Sequence, residues 1–563
     1  MSNYQIKDRA WWKEAVVYQV YPRSFKDSDG DGIGDIQGLI SKLDYLKNLG
    51  IELIWLSPMY KSPNDDNGYD ISDYYDIMEE FGTMADFDEL LAEIKKRDLR
   101  IIIDLVVNHC SDEHEWFQEA RKSKDNPYRD YFHWKPALEN GDPPNDWVSF
   151  FIGSAWELDE LTDEYYLHLF TKKQPDLNWE NPKVREEIYK MMRFWLDKGV
   201  AGFRMDVISL ISKRVGLPSF PKDFDGHHPN FYANGPRIHE YLREMNKEVL
   251  SKYDCMTVGE GPGITTKEAM DYVGKDRGEL HTIYHFDHLE IDRVFGKIGE
   301  LRDWTLAEFK AIWSKWDKVA GDRGWNSIML GNHDFPRMVS RFGDPGEYRK
   351  ESGKLLAMML LTMRGTPYIY QGDEFGMTNV AFNSLDDYDD VWVRNTKKLL
   401  EENEGDLDAF LRYVHTAGRD NARTPVQWDD TDHAGFTSGK PWLTLNPNYP
   451  IINAAEAVAD KDSIYHFIRQ FIDYRKKDLA WVYGSYTDLD PNHDKIFIYL
   501  RKLEQTELVV VMNMSDDPHH YVLPKSVGQK VRVLEFSNYE FSVPMLEDSI
   551  ALQPWEAKVY RLS

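Results

Sequence analysis

RIIIDLVV (100–107), GVAGFRMD (199–206) and MTVGE (256–260) share one design. Each is a short run of apolar, often β-branched residues that meets charged or polar ones at its end or just after it, Asn108 and His109 after the first, Asp206 and Glu260 ending the others. An apolar run of this length bounded by turn signals reads as a buried strand. Similar runs are VVYQVY (16–21), IELIWL (51–56), HTIYHF (281–286), SIMLGNHD (327–334) and TPYIYQ (366–371). Helical periods fill the gaps, as in DIQGLISKLDYLKNLG (35–50) and MADFDELLAEIKKRD (84–98). In the second, Phe87, Leu90, Leu91 and Ile94 fall on one helical face. Strands alternating with helices imply an α/β fold with parallel pairing. Eight such units are what a (β/α)8 TIM barrel requires. The pattern alone leaves a doubly wound open sheet as the alternative.

Two stretches break the alternation. Residues 108–175 are rich in Trp, Tyr, Phe, Asp and Pro and show little periodicity, too long for an ordinary connection. They read as an inserted small domain after the third strand. Beyond about 480 the pattern becomes short alternating strands, KIFIYLRK (495–502), ELVVVMNM (507–514), KVRVLEF (530–536) and AKVYRL (557–562). That reads as a C-terminal antiparallel β-sandwich domain. The expected division is a catalytic barrel over 1–107 and 176–480, the insertion over 108–175 and the sandwich over 481–563.

The 563 residues carry 68 Lys+Arg against 96 Asp+Glu, a net charge of −28. So negative a chain is a poor partner for nucleic acid or an anionic membrane, which need a concentrated positive surface. With 42% hydrophobic and 14% aromatic residues it reads as globular. Cys110 and Cys255 are too few for a disulfide framework and fit a reducing compartment. The opening MSNYQIKDRAWWKEAVVYQVYPRSF lacks a basic, apolar and cleavable succession, and LLAMMLLTM (355–363) is about half a membrane span. The expected location is therefore the cytoplasm. Nothing here fixes an oligomeric state, and a monomer is compatible with the chain.

The position of the acids is most informative. Asp206, Glu260 and Asp334 end the fourth, fifth and seventh runs, where barrel active sites form. Arg204 precedes Asp206 by two residues, His333 precedes Asp334, and Asn108 and His109 follow the third run. Three carboxylates with Arg and His suit glycoside cleavage. One attacks the anomeric carbon, one donates and then withdraws a proton, and one favours the distorted ring. Arg204 would keep the attacking carboxylate ionised.

A second acidic cluster is KDSDGDGIGD (26–35). It places Asp27, Asp29, Asp31 and Asp35 at positions 1, 3, 5 and 9 of a cation loop, Gly32 at 6 and the Ile33 carbonyl at 7. Position 12 is Gly38, so the bidentate Glu of a full EF-hand is missing.

The motifs DLVVNH (104–109), GFRMDV (202–207), VGEGPG (258–263) and GNHDFPR (331–337) resemble glycoside hydrolase family 13, the α-amylase family. QPDLNWENP (174–182) and RDNARTPVQWD (419–429) resemble its oligo-1,6-glucosidase and dextran glucosidase subfamily, which also holds sucrose isomerases. The resemblance implies Asp206 as nucleophile, Glu260 as acid/base and Asp334 as stabiliser of the distorted sugar. It implies His109, His333 and Arg204 as contacts of the sugar in the −1 subsite. Asp66 and Tyr69, in DDNGYD (65–70), resemble the residues holding the terminal glucose, and Arg423 the arginine closing that pocket with Asp66. Phe151 and Gln174 are further candidates for the pocket. The acidic loop would hold a structural Ca²⁺, with Mg²⁺ as the alternative. Val207, after the nucleophile, accompanies α-1,6 preference in the resembling enzymes.

The expected substrate is a small neutral oligosaccharide: isomaltose, panose or a short isomalto-oligosaccharide, cut from the non-reducing end to release glucose. The alternatives of the same fold are an α-1,4-glucosidase, a trehalose-6-phosphate hydrolase and a sucrose isomerase. Only Arg293 is basic in DHLEIDR (287–293), where sucrose isomerases carry an arginine-rich loop, and this favours hydrolysis. Gly261, after the acid/base, is expected to widen the aglycone side, and Cys110 after His109 has no functional account.

Overall fold

The computed structural model describes residues 6, 8–294, 297–528, 530, 532–540 and 549–562. Residues 1–5 and 7, read above for a leader, and Val531, within the strand expected at 530–536, lie outside the described residues.

Each expected run contains a strand. These are β1 (Val17–Val20), β2 (Leu53–Leu56), β3 (Arg100–Leu105), β4 (Gly202–Met205), β5 (Met256–Glu260), β6 (Thr282–Tyr284), β7 (Ser327–Ile328) and β8 (Thr366–Tyr370). They form one parallel sheet in the order β6-β5-β4-β3-β2-β1-β8-β7. A parallel bridge between Ile283 of β6 and Asn326, just before β7, joins the two edges. The sheet therefore closes into the TIM barrel, and the open doubly wound alternative falls away.

Strand β7 is shorter than its run suggests. Its ladder ends at Ile328, and four residues further on the Asn332 side chain accepts the Asp334 N–H at 2.7 Å in a local turn. The helix Ile36–Leu49 starts where Asp35 accepts the Gly38 N–H at 2.6 Å and stops at Gly50, whose φ of 103° only glycine adopts easily. In the helix Met84–Lys96, Phe87, Leu90 and Ile94 are buried, and Leu91 is partly buried against the same core.

Within 108–175 three short strands, Trp134–Lys135, Trp156–Asp159 and Glu164–Leu167, form a small antiparallel sheet. At the C-terminal end a five-stranded antiparallel sheet contains Ile496–Leu503, Thr506–Asn513 and Ala557–Leu562. His519–Val522 pairs with Ser549–Leu552 in a second sheet. Ile498, Val509, Tyr521 and Leu552 share one buried cluster between the sheets, as a sandwich requires.

The two-residue period of a strand explains what lies inside the barrel. Ile102 of β3 and Met256 and Val258 of β5 belong to the inner apolar cluster, while Ile101, Ile103 and Phe203 pack outward against the helices. Continuing each inward register toward the strand ends brings Asp104, Arg204, Asp206 and Glu260 to the interior.

Candidate active site

Arg204, on β4 and fully buried, is the hub. Its Nη1 donates to Asp206 Oδ1 at 2.7 Å and to Asp104 Oδ1, and its Nη2 lies 2.8 Å from Glu260 Oε2. Its Nε and Nη2 donate to the Tyr284 hydroxyl at 3.1 and 2.8 Å. The Trp55 ring stands 5.2 Å from the guanidinium carbon and its Nε1 donates to Asp104 at 2.7 Å. Asp206 follows β4, its N–H donating to the Leu105 carbonyl at 3.0 Å. The Val207 N–H donates to Glu260 Oε2 at 2.9 Å, which Val207 achieves with a φ of 35°, an uncommon backbone for a β-branched residue. Such strain is found where surrounding structure imposes a functional geometry.

One guanidinium faces three carboxylates, so negative charge is in surplus. Burial raises the Asp206 carboxyl well above its ordinary value, with Arg204 opposing and Glu260 and Asp104 reinforcing. Burial likewise pushes Asp104 up to about 6 against Arg204 and Trp55. Arg204, expected to keep Asp206 ionised, opposes the effect of burial there while also serving Asp104 and Glu260. Its charge is shared three ways. Asp104 opens the DLVVNH motif, and only its inward register on β3 marked it out.

Asp334 lies across the cavity. Arg423 Nη2 donates to its Oδ1 at 2.9 Å, Arg419 Nη1 at 3.4 Å, and His333 Nε2 stands 3.2 Å from Oδ2. Against the cost of burial, His333, Arg423 and Arg419 hold Asp334 well below the usual carboxylate range. Burial pushes His333 down to about 3 and His109 to about 4, so both rings are neutral near neutrality.

These groups surround a cavity of about 590 Å³ at the C-terminal ends of the strands. Of the expected site residues, Asp66, Tyr69, His109, Phe151, Asp206, Val207, Glu260 and Asp334 line it. Four do not. Arg204 is sealed beneath the carboxylates it binds. His333 is fully buried, its Nε2 at 2.6 Å from the Tyr69 hydroxyl and its ring stacked on Tyr69 at 5.3 Å. Gln174 is buried behind the wall, its Nε2 donating to Asp66 at 3.1 Å and 3.2 Å from His109 Nε2. These three shape the wall and do not face the opening.

Arg423 is the fourth and the clearest correction. It is 1% exposed, with Nη2 donating to Asp334 at 2.9 Å and Nε to the His333 carbonyl at 3.0 Å. The arginine facing Asp66 is Arg419, one helical turn earlier, with Nη2 at 3.8 Å from Asp66 Oδ1. Asp390 holds Arg419, accepting from Nε at 2.8 Å and also from Nη2, and the guanidinium carbon lies 4.9 Å from the Phe151 ring. Both arginines stand in the quoted RDNARTPVQWD stretch, and spacing alone could not choose between them. Burial pushes Asp66 up to about 7, with Arg419 and Arg423 opposing.

Gly261 does not widen the cavity. Being next to inward Glu260 it faces outward, where an added Cβ would meet Ile264 Cδ1 at 2.9 Å and Ile283 Cδ1 at 3.1 Å. Arg293 does line the outer cavity, while Arg341 pairs with Asp292.

In the acidic loop, carboxylate oxygens of Asp27, Asp29 and Asp35 lie within 4.8 Å of one another. Asp31 stands outside this group, its Oδ1 taken by the Ile33 N–H at 2.7 Å. Asp27 is held below its ordinary value, against burial, by Thr437 and the N–H groups of Gly30, Gly32 and Asp29. The loop packs on the 436–442 segment through the Asp27 N–H to Phe436 and the Trp442 N–H to Gly32.

The family model for the α-amylase catalytic domain matches residues 19–484. The chain is 55% identical over 559 residues to the oligo-1,6-glucosidase of Parageobacillus thermoglucosidasius, covering 99% of each. It is 53% identical over 560 residues to that of Bacillus cereus, covering 99% of this chain and 100% of the relative. Among solved structures, an isomaltulose synthase from Protaminobacter rubrum superimposes with a TM-score of 0.97 at 48% identity, covering 99% of this chain and 100% of the other. The strand-end carboxylates, the closed barrel and these likenesses agree: the chain belongs to the α-amylase family of glycoside hydrolases.

Proposed function

We propose that the protein is a retaining, exo-acting α-glucosidase that hydrolyses α-1,6 bonds of isomaltose, panose and short isomalto-oligosaccharides. The observation that carries the reading is the bridging of Asp206 and Glu260 by Arg204. Asp206 and Glu260 stand at the ends of neighbouring strands and share one guanidinium, which suits the roughly 5–5.5 Å spacing of retaining carboxyls better than the roughly 6.5–9.5 Å that inverting ones keep for a water. The terminal glucose enters toward Asp66 and Arg419, which close the cavity at that end and restrict cleavage to one unit. Asp206 attacks the anomeric carbon while Glu260 protonates the departing oxygen, giving a glycosyl–enzyme ester and the free aglycone. Glu260 then takes a proton from water, whose oxygen displaces Asp206 with retention. Asp334, charged by virtue of its arginines, favours the electron-poor ring between these states.

Val207 lines the cavity beside the nucleophile and supports the α-1,6 preference, as do the names of the relatives. A steric difference of this size is worth about 1–3 kcal/mol, a bias of 10- to 200-fold. Kinetics on isomaltose and maltose test this. A larger kcat/KM for maltose refutes the linkage assignment and leaves an α-1,4-glucosidase.

A divalent cation, Ca²⁺ with Mg²⁺ as the alternative, is assigned to Asp27, Asp29 and Asp35 in a structural role. Three carboxylates this close repel unless a cation sits among them, and their oxygens suit a hard ion. At 100 times its Kd such an ion adds about 2.7 kcal/mol of stability. Chelation therefore lowers Tm and leaves initial rates at 25 °C unchanged; an unmoved Tm removes the cation. Among the described residues no helix is long and apolar enough to cross a membrane. Free, buried Cys110 and Cys255 support a reducing, cytoplasmic setting.

A further inference from the structure

We propose that Tyr284 is a positioning residue that sets how Arg204 divides its charge between Asp206 and Glu260. The inference rests on the retaining reading and adds a residue to it. Tyr284 ends β6 and stands beside Glu260 in the parallel register of β5 and β6. It is 1% exposed and does not line the cavity, so it acts only through its neighbours.

A guanidinium has five N–H donors. For Arg204 the partners are Asp104 and Asp206 on Nη1, Glu260 and Tyr284 on Nη2, and Tyr284 on Nε. Every donor has an acceptor, and the acceptor of two of them is a single phenol. That acceptor is uncharged. Burial and the nearby carboxylates raise its ionisation well above the ordinary value. A carboxylate at this edge would consume the positive charge, whereas a phenol fixes the guanidinium and leaves that charge to Asp206 and Glu260. The other groups around the hub are Asp104 from β3, Tyr69, and the His333–Asp334 pair with Arg423 behind it.

Removing the hydroxyl leaves two buried donors unsatisfied, with Glu260 the remaining acceptor on that edge. The guanidinium then turns toward Glu260 and away from Asp206, so that more of its positive charge falls on the acid/base and less on the nucleophile.

The test is Tyr284→Phe on the full chain, with pH profiles of kcat and kcat/KM, KM for isomaltose and Tm. The expected result is an alkaline limb lower by about one pH unit, kcat down about 10-fold near neutrality and KM within about twofold. Tyr284→His, which keeps one acceptor, gives an intermediate shift and serves if the Phe variant does not accumulate folded. Unmoved limbs and kcat, whatever happens to Tm, overturn the proposal, as does a loss confined to KM. A silent variant of an active wild type refutes Tyr284 alone. A wild type that does not hydrolyse isomaltose refutes the underlying reading instead.

Discussion

Asp66 is held between two opposing demands. It lines the cavity at the end where the proposed function places the terminal glucose, yet it is buried enough to keep a proton up to about pH 7. Between its ordinary value of 3.8 and about 7, the folded chain retains a proton that the unfolded chain has released. Its contribution to stability therefore declines as pH rises through that window. Binding runs the other way, because a carboxylate accepts a sugar hydroxyl more strongly than a carboxylic acid does. KM for isomaltose should fall as pH rises through about 7 in the wild type and stay flat in Asp66→Asn. A KM independent of pH in the wild type would remove the charged role. Arg419 belongs to the same argument. Arg419→Ala should raise KM for isomaltose at least about 10-fold, the scale of losing a charged hydrogen-bond partner, as the steady-state kinetics would show. Neither residue pairing was legible beforehand. Asp66 was named from its motif, but Arg423 was taken for its partner because a helical turn separates two arginines that sequence cannot orient.

At the scale of elements, strand alternation decides which residues do chemistry. Asp104, Arg204, Asp206 and Glu260 all occupy inward registers, and the apolar residues between them pack outward. Arg204, Asp206 and Glu260 were legible from their places at the ends of the runs, whereas Asp104 was not singled out. What escaped was the consequence one residue on. Gly261 was expected to open the aglycone side, but alternation turns it away from the cavity. Its small size answers to the outer core, where Ile264 and Ile283 leave no room. Gly261→Ala should lower stability by about 1–3 kcal/mol through overpacking and leave the isomaltose-to-maltose preference unchanged. Thermal unfolding and the two kcat/KM values check both halves. A changed preference at unchanged Tm would restore the original reading. Strand β7 teaches a similar lesson, since its ladder stops after two residues while Asp334 still arrives at the rim.

Across the whole molecule, eight short runs sufficed to foresee the barrel, because each carries its own hydrophobic period and turn signals. Closure was not legible, since it rests on one bridge between Ile283 and Asn326, far apart in sequence. The sharing of Arg204 was hidden for the same reason: its partners come from β3, β4, β5 and β6. The net charge of −28 makes polyanions poor partners, and a neutral sugar is nearly indifferent to it. What unites the levels is the assignment of Asp206 as the nucleophile of a two-step reaction. Its most direct test is mass spectrometry of the protein after incubation with a fluorinated α-glucosyl fluoride, which slows release of the covalent intermediate. The expected result is one fluoroglucosyl group, mapped by peptide sequencing to Asp206. An adduct on Glu260 or Asp334 instead, or release of the inverted β-glucose from isomaltose with no adduct, would contradict it.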